Sequence, residues 1–213
     1  MSYRLVLLDL DSTLIENEVI DLLAREAGVE SKVKEITENA MAGRIDFASA
    51  LIERVALLKG LPESVFSQLR REITFSKGAD ELIAFCKLNK IPIGAVSGGF
   101  DQAVVALGLR EDLDFVRANN LEIEHGRLTG RIIGTIIDAH EKAVALKEFA
   151  SRSNVPISET IAIGDGANDI EMIRAAGLGI AFKAKPALKE AADHEISHSL
   201  AELIPLLRTL SNS

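Results

Sequence analysis

Four aliphatic residues, Leu5-Val6-Leu7-Leu8, run straight into Asp9-Leu10-Asp11-Ser12-Thr13. A short apolar run bounded by charge reads as a buried strand, because it is too short to supply the core face of a helix. Two carboxylates then fall at alternate positions where the strand ends. Residues two apart in an extended chain share a side, and Ser12 and Thr13 can bond nearby backbone and fix the turn. Acids crowded in this way repel one another, so the turn asks for positive charge between them, most simply a divalent cation. Read alone, the pentapeptide also fits a solvated acidic turn.

Helical periodicity takes over after Thr13. Apolar residues at Val19, Ile20, Leu22, Leu23 and Ala27 predict a helix over 16–27 closed by Gly28, and a second follows over 31–41, ended by Gly43. Asp46 caps a third, with Phe47, Leu51, Val55 and Leu58 on one face, and Pro62 stands near the start of a fourth over 62–73. A βαβ crossover needs only one helix. Four in succession therefore predict a helical cap inserted over residues 16–75, with residues 1–15 and 76–213 forming the core.

Strand and helix then alternate. Helix is expected over 77–89, a buried strand over 91–96 ending in Ser97-Gly98-Gly99, and helix over 100–109. A β excursion over 115–129 turns at His125-Gly126, and helix follows over 141–152. A strand over 160–163 leads into Gly164-Asp165-Gly166-Ala167-Asn168-Asp169 and a helix to residue 176. A strand over 178–182, a helix over 186–192 and a last helix over 200–210 complete the pattern. Strands separated by helices predict an α/β fold with a doubly wound parallel sheet.

Composition narrows the partners. A formal charge of −8 disfavours nucleic acid and anionic membrane surfaces, both of which select basic patches. Cys86 is the single cysteine and lies on an apolar helix face, so it is expected to be a buried, inert thiol. With no intrachain disulfide, no signal peptide and no apolar run of membrane-spanning length, the expected home is the cytoplasm.

In an open α/β sheet, ligands bind outside the carboxyl ends of the strands. That rule gathers Asp9 and Asp11 after the first strand, Ser97-Gly98 after a second, and Asp165 after a third, with Lys142 opening a helix toward the same crevice. Four carboxylates (Asp9, Asp11, Asp165, Asp169), a lysine and a serine describe a meeting place for a hard cation and an anion. Mg²⁺ takes oxygen ligands and commonly shares a substrate phosphate, while Ser97, the amides after it and Lys142 suit the remaining phosphate oxygens. An Asp carboxylate there can attack phosphorus, and a second acid can protonate the leaving oxygen and later activate water.

These pieces, in this order, resemble the phosphoserine phosphatases of the haloacid dehalogenase superfamily. The resemblance rests on Asp9-Leu10-Asp11-Ser12-Thr13, Val96-Ser97-Gly98-Gly99-Phe100, Lys142 and Gly164-Asp165-Gly166-Ala167-Asn168-Asp169. It is supported by Asn17-Glu18, Arg54-Val55, Ala118-Asn119, Leu128-Thr129-Gly130 and Ala184-Lys185-Pro186, and it covers nearly the whole chain. It implies a cytoplasmic, Mg²⁺-dependent hydrolase that converts O-phospho-L-serine to L-serine through an aspartyl-phosphate, the last step of serine biosynthesis. The alternative is a related phosphatase or phosphotransferase acting on another small phosphomonoester. By resemblance, Asp9 is the nucleophile and Asp11 the general acid/base. Asp9, the Asp11 carbonyl and Asp165 hold the metal, with Asp169 supporting it from close by. Ser97, Gly98 and Lys142 hold the phosphate, with Asn168 near it. Glu18 takes the substrate ammonium and Arg54 its carboxylate, with Met41 and Phe47 as apolar wall. Arg grips a carboxylate bidentately, so that pairing is also chemically apt. Leu10 stands where the family usually has Phe, and no regulatory amino-acid-binding domain is expected before Asp9.

Two rival readings fail on the residues. His194-Glu195-Ile196-Ser197-His198 matches a zinc-protease signature, but that motif needs a helix and a third ligand, and this segment is expected to be a short strand with Ser199 near the cap of the final helix. A phosphate-accepting receiver domain also uses clustered acids and a lysine, but it has neither the helical insertion nor a resident acid like Asp11.

Overall fold

Strand β1 (Leu5–Asp9) is buried along its whole length. Val6 and Leu8 enter one apolar cluster while Leu5 and Leu7 enter another, as alternation across a strand requires. A strand buried on both faces belongs inside a sheet covered on both sides. In the computed structural model, which describes residues 3–208, β1 is the central strand. The others are β2 (Ile93–Phe100), β3 (Phe115–Glu124), β4 (Arg127–Ile133), β5 (Thr160–Gly164), β6 (Leu178–Phe182) and β7 (His194–Ile196). Their order is β4-β3-β2-β1-β5-β6-β7. All neighbours are parallel except β4, which runs back against β3. The expected β excursion thus divides. β3 joins the main sheet beside β2, and only β4 is antiparallel.

The chain winds outward from β1 in both directions, which makes the carboxyl end of β1 the topological switch point. Asp9 aligns with Val96, and Leu8 aligns with Ile163. Ser97 and Asp165 therefore emerge beside Asp9.

Helices α1 (Val19–Glu26), α2 (Glu30–Met41), α3 (Phe47–Ala56) and α4 (Val65–Leu69) separate β1 from α5 (Ala79–Leu88). Ile15 and Phe75 form an antiparallel bridge, and Glu16 N–H donates to the Thr74 carbonyl at 2.8 Å. The four helices therefore leave and rejoin the chain at one point. Asp46 caps α3 by accepting from Ser49 N–H at 2.9 Å. Helix α4 is shorter than the expected 62–73 because residues 60–63 pair with the β3–β4 hairpin instead. Pro62 bridges Arg127, and Gly60 N–H donates to Leu128.

Helices α6 (Asp101–Leu107) and α7 (Leu109–Asp112) replace the single helix expected over 100–109, divided at Gly108. Helix α8 (Ala139–Arg152) precedes β5, and α9 (Ile170–Ala175) and α10 (Pro186–Ala191) flank β6. The last expected helix is a 3₁₀ turn, Leu200–Leu203, followed by α11 (Ile204–Arg208), and Thr209 and Leu210 lie outside the described residues. Ser199 Oγ caps that turn by accepting from Ala201 N–H. His194 and Glu195 sit on the edge strand β7, so no helix brings His194 and His198 to one face. Among the described residues no helix is long and apolar enough to cross a membrane.

Candidate active site

Asp9 ends β1, and its Oδ1 accepts from Leu10 N–H at 2.8 Å. The chain then makes one wide turn, Leu10–Leu14, closed by Ile15 N–H donating to the Leu10 carbonyl. Ser12 takes a left-handed conformation, φ 58°, within this turn. The hydroxyls do not fix the turn as the sequence suggested. Ser12 Oγ donates instead to Glu18 Oε1 at 2.6 Å, and the buried Thr13 hydroxyl has no partner among the described residues. The Asp11 carboxylate is buried against Gly99, where a Cβ would stand 2.6 Å from Asp11 Oδ2.

Asp138 caps α8 by accepting from Glu141 N–H, and one residue on is Lys142, fully buried. Its Nζ lies 2.8 Å from Asp9 Oδ1 and 2.7 Å from Asp169 Oδ1. Lys142 thus joins Asp9 to Asp169. Asp169 Oδ2 accepts from the N–H groups of Asp165 and Gly166, at 3.1 Å each. This fold of the loop requires glycine at 164, because a Cβ there would overlap the Asp169 carboxylate.

Carboxylate oxygens of Asp9, Asp165 and Asp169 lie within 4.8 Å of one another. Both Asp169 oxygens are already engaged, by Lys142 and by two amides. The uncommitted oxygens belong to Asp9 and Asp165, which fits a supporting place for Asp169. The donor set is all hard oxygen, the chemistry that suits Mg²⁺-like cations rather than soft metals.

One buried ammonium does not balance four acids. Burial raises the Asp9 carboxyl well above the ordinary range, the Asp169 charge adds to that, and Lys142 only partly opposes it. Asp11 is raised by burial, then by Glu18 and Asp9. Asp165 is pushed up to about 6 by burial and Asp169, against Lys185, whose Nζ is 3.7 Å away. Burial pulls the Lys142 ammonium down, but Asp169 and Asp9 outweigh it and hold it above its usual value. This excess of negative charge is what a bound cation would relieve.

Above these acids lies a cavity of about 800 Å³. Asp9, Asp11, Ser97, Gly98, Asp165 and Asn168 line it from the sheet edge, and Glu18, Met41, Phe47 and Arg54 line it from α1, α2 and α3. Lys142 is the one expected phosphate contact that does not open into it, because it is packed behind Asp9. Glu18 is held by Ser12. Arg54 donates from Nε to the Ala50 carbonyl and from Nη1 to Thr37 Oγ1, at 3.2 and 3.4 Å.

Three residues given no role from sequence also reach the site. Asp21, in the first turn of α1, lines the cavity three residues after Glu18, the N-cap residue of that helix. Lys185 follows β6 at the same sheet edge, so its position was legible. Thr37, on α2, carries no local signal.

Residues 6–174 match the family model of haloacid dehalogenase-like hydrolases. A phosphoserine phosphatase of Streptococcus thermophilus is 47% identical over 95% of both chains. One from Streptomyces coelicolor is 49% identical over 97% of this chain, which spans only 49% of that relative's length. A solved phospho-aspartyl intermediate analogue of phosphoserine phosphatase superposes with TM-score 0.88 at 43% identity, over 97% of this chain and 100% of the other. On these matches the chain belongs to the haloacid dehalogenase-like hydrolases.

Proposed function

We propose that this chain is a phosphoserine phosphatase, hydrolysing O-phospho-L-serine to L-serine and phosphate in the final step of serine synthesis. The observation that carries the reading is one cavity with Asp9 and Asp11 at its base and the Glu18–Arg54 acid–base pair on its wall. Phosphate seats against Ser97 and Gly98, with Asn168 beside it. Arg54 takes the substrate carboxylate and Glu18 its ammonium, so the amino-acid end is read by charge on both sides.

Asp9 attacks phosphorus in line as the bond to the serine oxygen breaks. Lys142 holds the attacking carboxylate in place from behind. Asp11, whose raised pKa favours the acid form, gives its proton to the departing serine oxygen. The resulting Asp11 carboxylate then takes a proton from water, which attacks the phosphorus and releases Asp9. Asp9, the Asp11 carbonyl and Asp165 would hold Mg²⁺, with Asp169 behind, and when bound the ion neutralises phosphoryl charge.

Residues 16–75 act as a cap over a core of residues 1–15 and 76–213, a division supported by the Ile15–Phe75 bridge at its base. We place the enzyme in the cytoplasm, in keeping with its lone cysteine, Cys86, which is buried. The cavity volume favours one second reading, hydrolysis of a bulkier small phosphomonoester, because spaces of this size hold drug-sized ligands. Phosphate release from O-phospho-L-serine and a panel of small phosphomonoesters, with Mg²⁺ and with EDTA, tests both. A Mg²⁺-dependent preference for phosphoserine supports the first. Metal-dependent release with another favourite transfers the assignment, and no release from any ester overturns it.

A further inference from the structure

The register break between β2 and β3 leaves backbone polar groups to account for. β2 advances four residues, Val96 to Phe100, while β3 advances two, Arg117 to Asn119. Ser97, Gly98 and Gly99 therefore arch away from the ladder, and their polar groups need other partners. The Gly98–Gly99 peptide finds two side chains. Gly99 N–H donates to Ser97 Oγ at 2.8 Å, and the Gly98 carbonyl accepts from Asn119 Nδ2 at 2.8 Å. Asn119 is 1% exposed, and its Oδ1 accepts from Ile137 N–H at 2.8 Å. That bond fixes the amide's orientation, since an oxygen must face Ile137 N–H and the nitrogen must then face Gly98.

We propose that Asn119 is a positioning residue for the phosphate cradle, holding the Gly98–Gly99 peptide with its carbonyl toward Asn119 and away from the cavity. A peptide between two glycines has no Cβ on either side to resist rotation. Flipped, it would turn a carbonyl oxygen toward an incoming phosphate and release Gly99 N–H from Ser97. Held as observed, it occupies a lone pair of Ser97 Oγ and leaves the hydroxyl proton to donate to a phosphate oxygen. Ile137 directly precedes Asp138, the cap of α8. Asn119 thereby ties the cradle to the helix that carries Lys142. This inference rests on the reading that Ser97 and Gly98 receive the phosphate.

The test uses the full chain, with inorganic phosphate as probe, inhibiting hydrolysis of phosphoserine and of an aryl phosphate. Asn119→Asp keeps an acceptor for Ile137 N–H but sets an oxygen against the Gly98 carbonyl. It should weaken inhibition by phosphate about tenfold or more and lower kcat/KM for both esters by the same factor, since the damage is at the phosphoryl end. In a Ser97→Ala background the same substitution should matter much less. A purely structural role would lower thermal stability and leave phosphate affinity in the folded protein unchanged. If wild type neither hydrolyses the esters nor binds phosphate, the proposed function fails and this inference with it. If wild type is active while Asn119→Asp is inhibited by phosphate as wild type is, or its effect adds fully to that of Ser97→Ala, the inference alone is overturned. Should Asn119→Asp not fold, the wild-type NMR spectrum decides. Asn119 side-chain amide protons that exchange slowly and shift on phosphate addition support the proposal, and protons that behave as a free amide overturn it.

Discussion

Replacing Asp165 by Asn should make the metal-free protein more stable at neutral pH, although it removes a charged residue from the site. The Asp165 carboxyl is pushed up to about 6 from 3.8, by burial and by Asp169, against Lys185. The folded protein therefore holds this proton more tightly than the unfolded chain does. Between pH 3.8 and about 6 the folded state binds more protons, so stability falls as pH rises through that window. A rise of this size, at about 1.4 kcal/mol per tenfold change in proton affinity, makes ionising Asp165 cost on the order of 3 kcal/mol. Asparagine carries no charge and avoids that cost. For a chain of this size about 1 kcal/mol moves Tm by roughly 2–4 °C. Asp165→Asn should then melt about 6–12 °C above wild type at pH 7.5 in EDTA, and the two should converge below about pH 4. Mg²⁺ should reverse the order, because wild type gains binding energy that the variant has lost. Calorimetric melts of both proteins across this pH range, with EDTA and with Mg²⁺, measure every arm. A variant less stable than wild type at pH 7.5 in EDTA, or a gap that ignores pH, would refute the reasoning.

Arg54→Ala should lower kcat/KM for phosphoserine by about 10²-fold, the value of a lost charge-assisted contact, and leave an aryl phosphate within a few-fold. Equal losses on both esters would remove Arg54 from substrate recognition. Lys142→Met strips the buried partner from Asp9 and Asp169, both nearly or fully buried. It should destabilise by about 3–5 kcal/mol in urea unfolding without metal, and an unchanged midpoint would contradict the pairing. Gly164→Ala drives a Cβ into the Asp169 carboxylate. It should cost about 10²-fold in kcat through misplacement alone, and wild-type turnover would show that the loop can shift without consequence.

Much of this was legible because strands announce themselves. Leu5–Asp9 and Leu178–Phe182 fall where their aliphatic runs do, and the rule that ligands gather at strand carboxyl ends assembles Asp9, Asp11, Ser97 and Asp165 from sequence alone. The helical stretch after Thr13 was equally plain from its periodicity. What escaped was long-range. Helix α4 lost its first turn to pairing between residues 60–63 and the β3–β4 hairpin, a contact no local window contains. The left-handed Ser12 gives its hydroxyl to Glu18 rather than to the turn, a consequence of where α1 starts. Lys142 pairs with Asp9 and Asp169, and that pairing depends on how deeply α8 docks, which no local window of sequence contains. Asn119 reads as an ordinary strand residue until the register break beside it is seen.

The central claim is that phosphorus passes through Asp9. Rapid quenching of the enzyme during turnover of O-phospho-L-serine, followed by borohydride reduction, converts an aspartyl-phosphate to homoserine. Peptide mass spectrometry should then find homoserine at position 9 alone, and Asp9→Asn should give neither homoserine nor turnover while melting as a folded protein. Reduction product at another carboxylate, or sustained phosphate release by Asp9→Asn, would contradict the account.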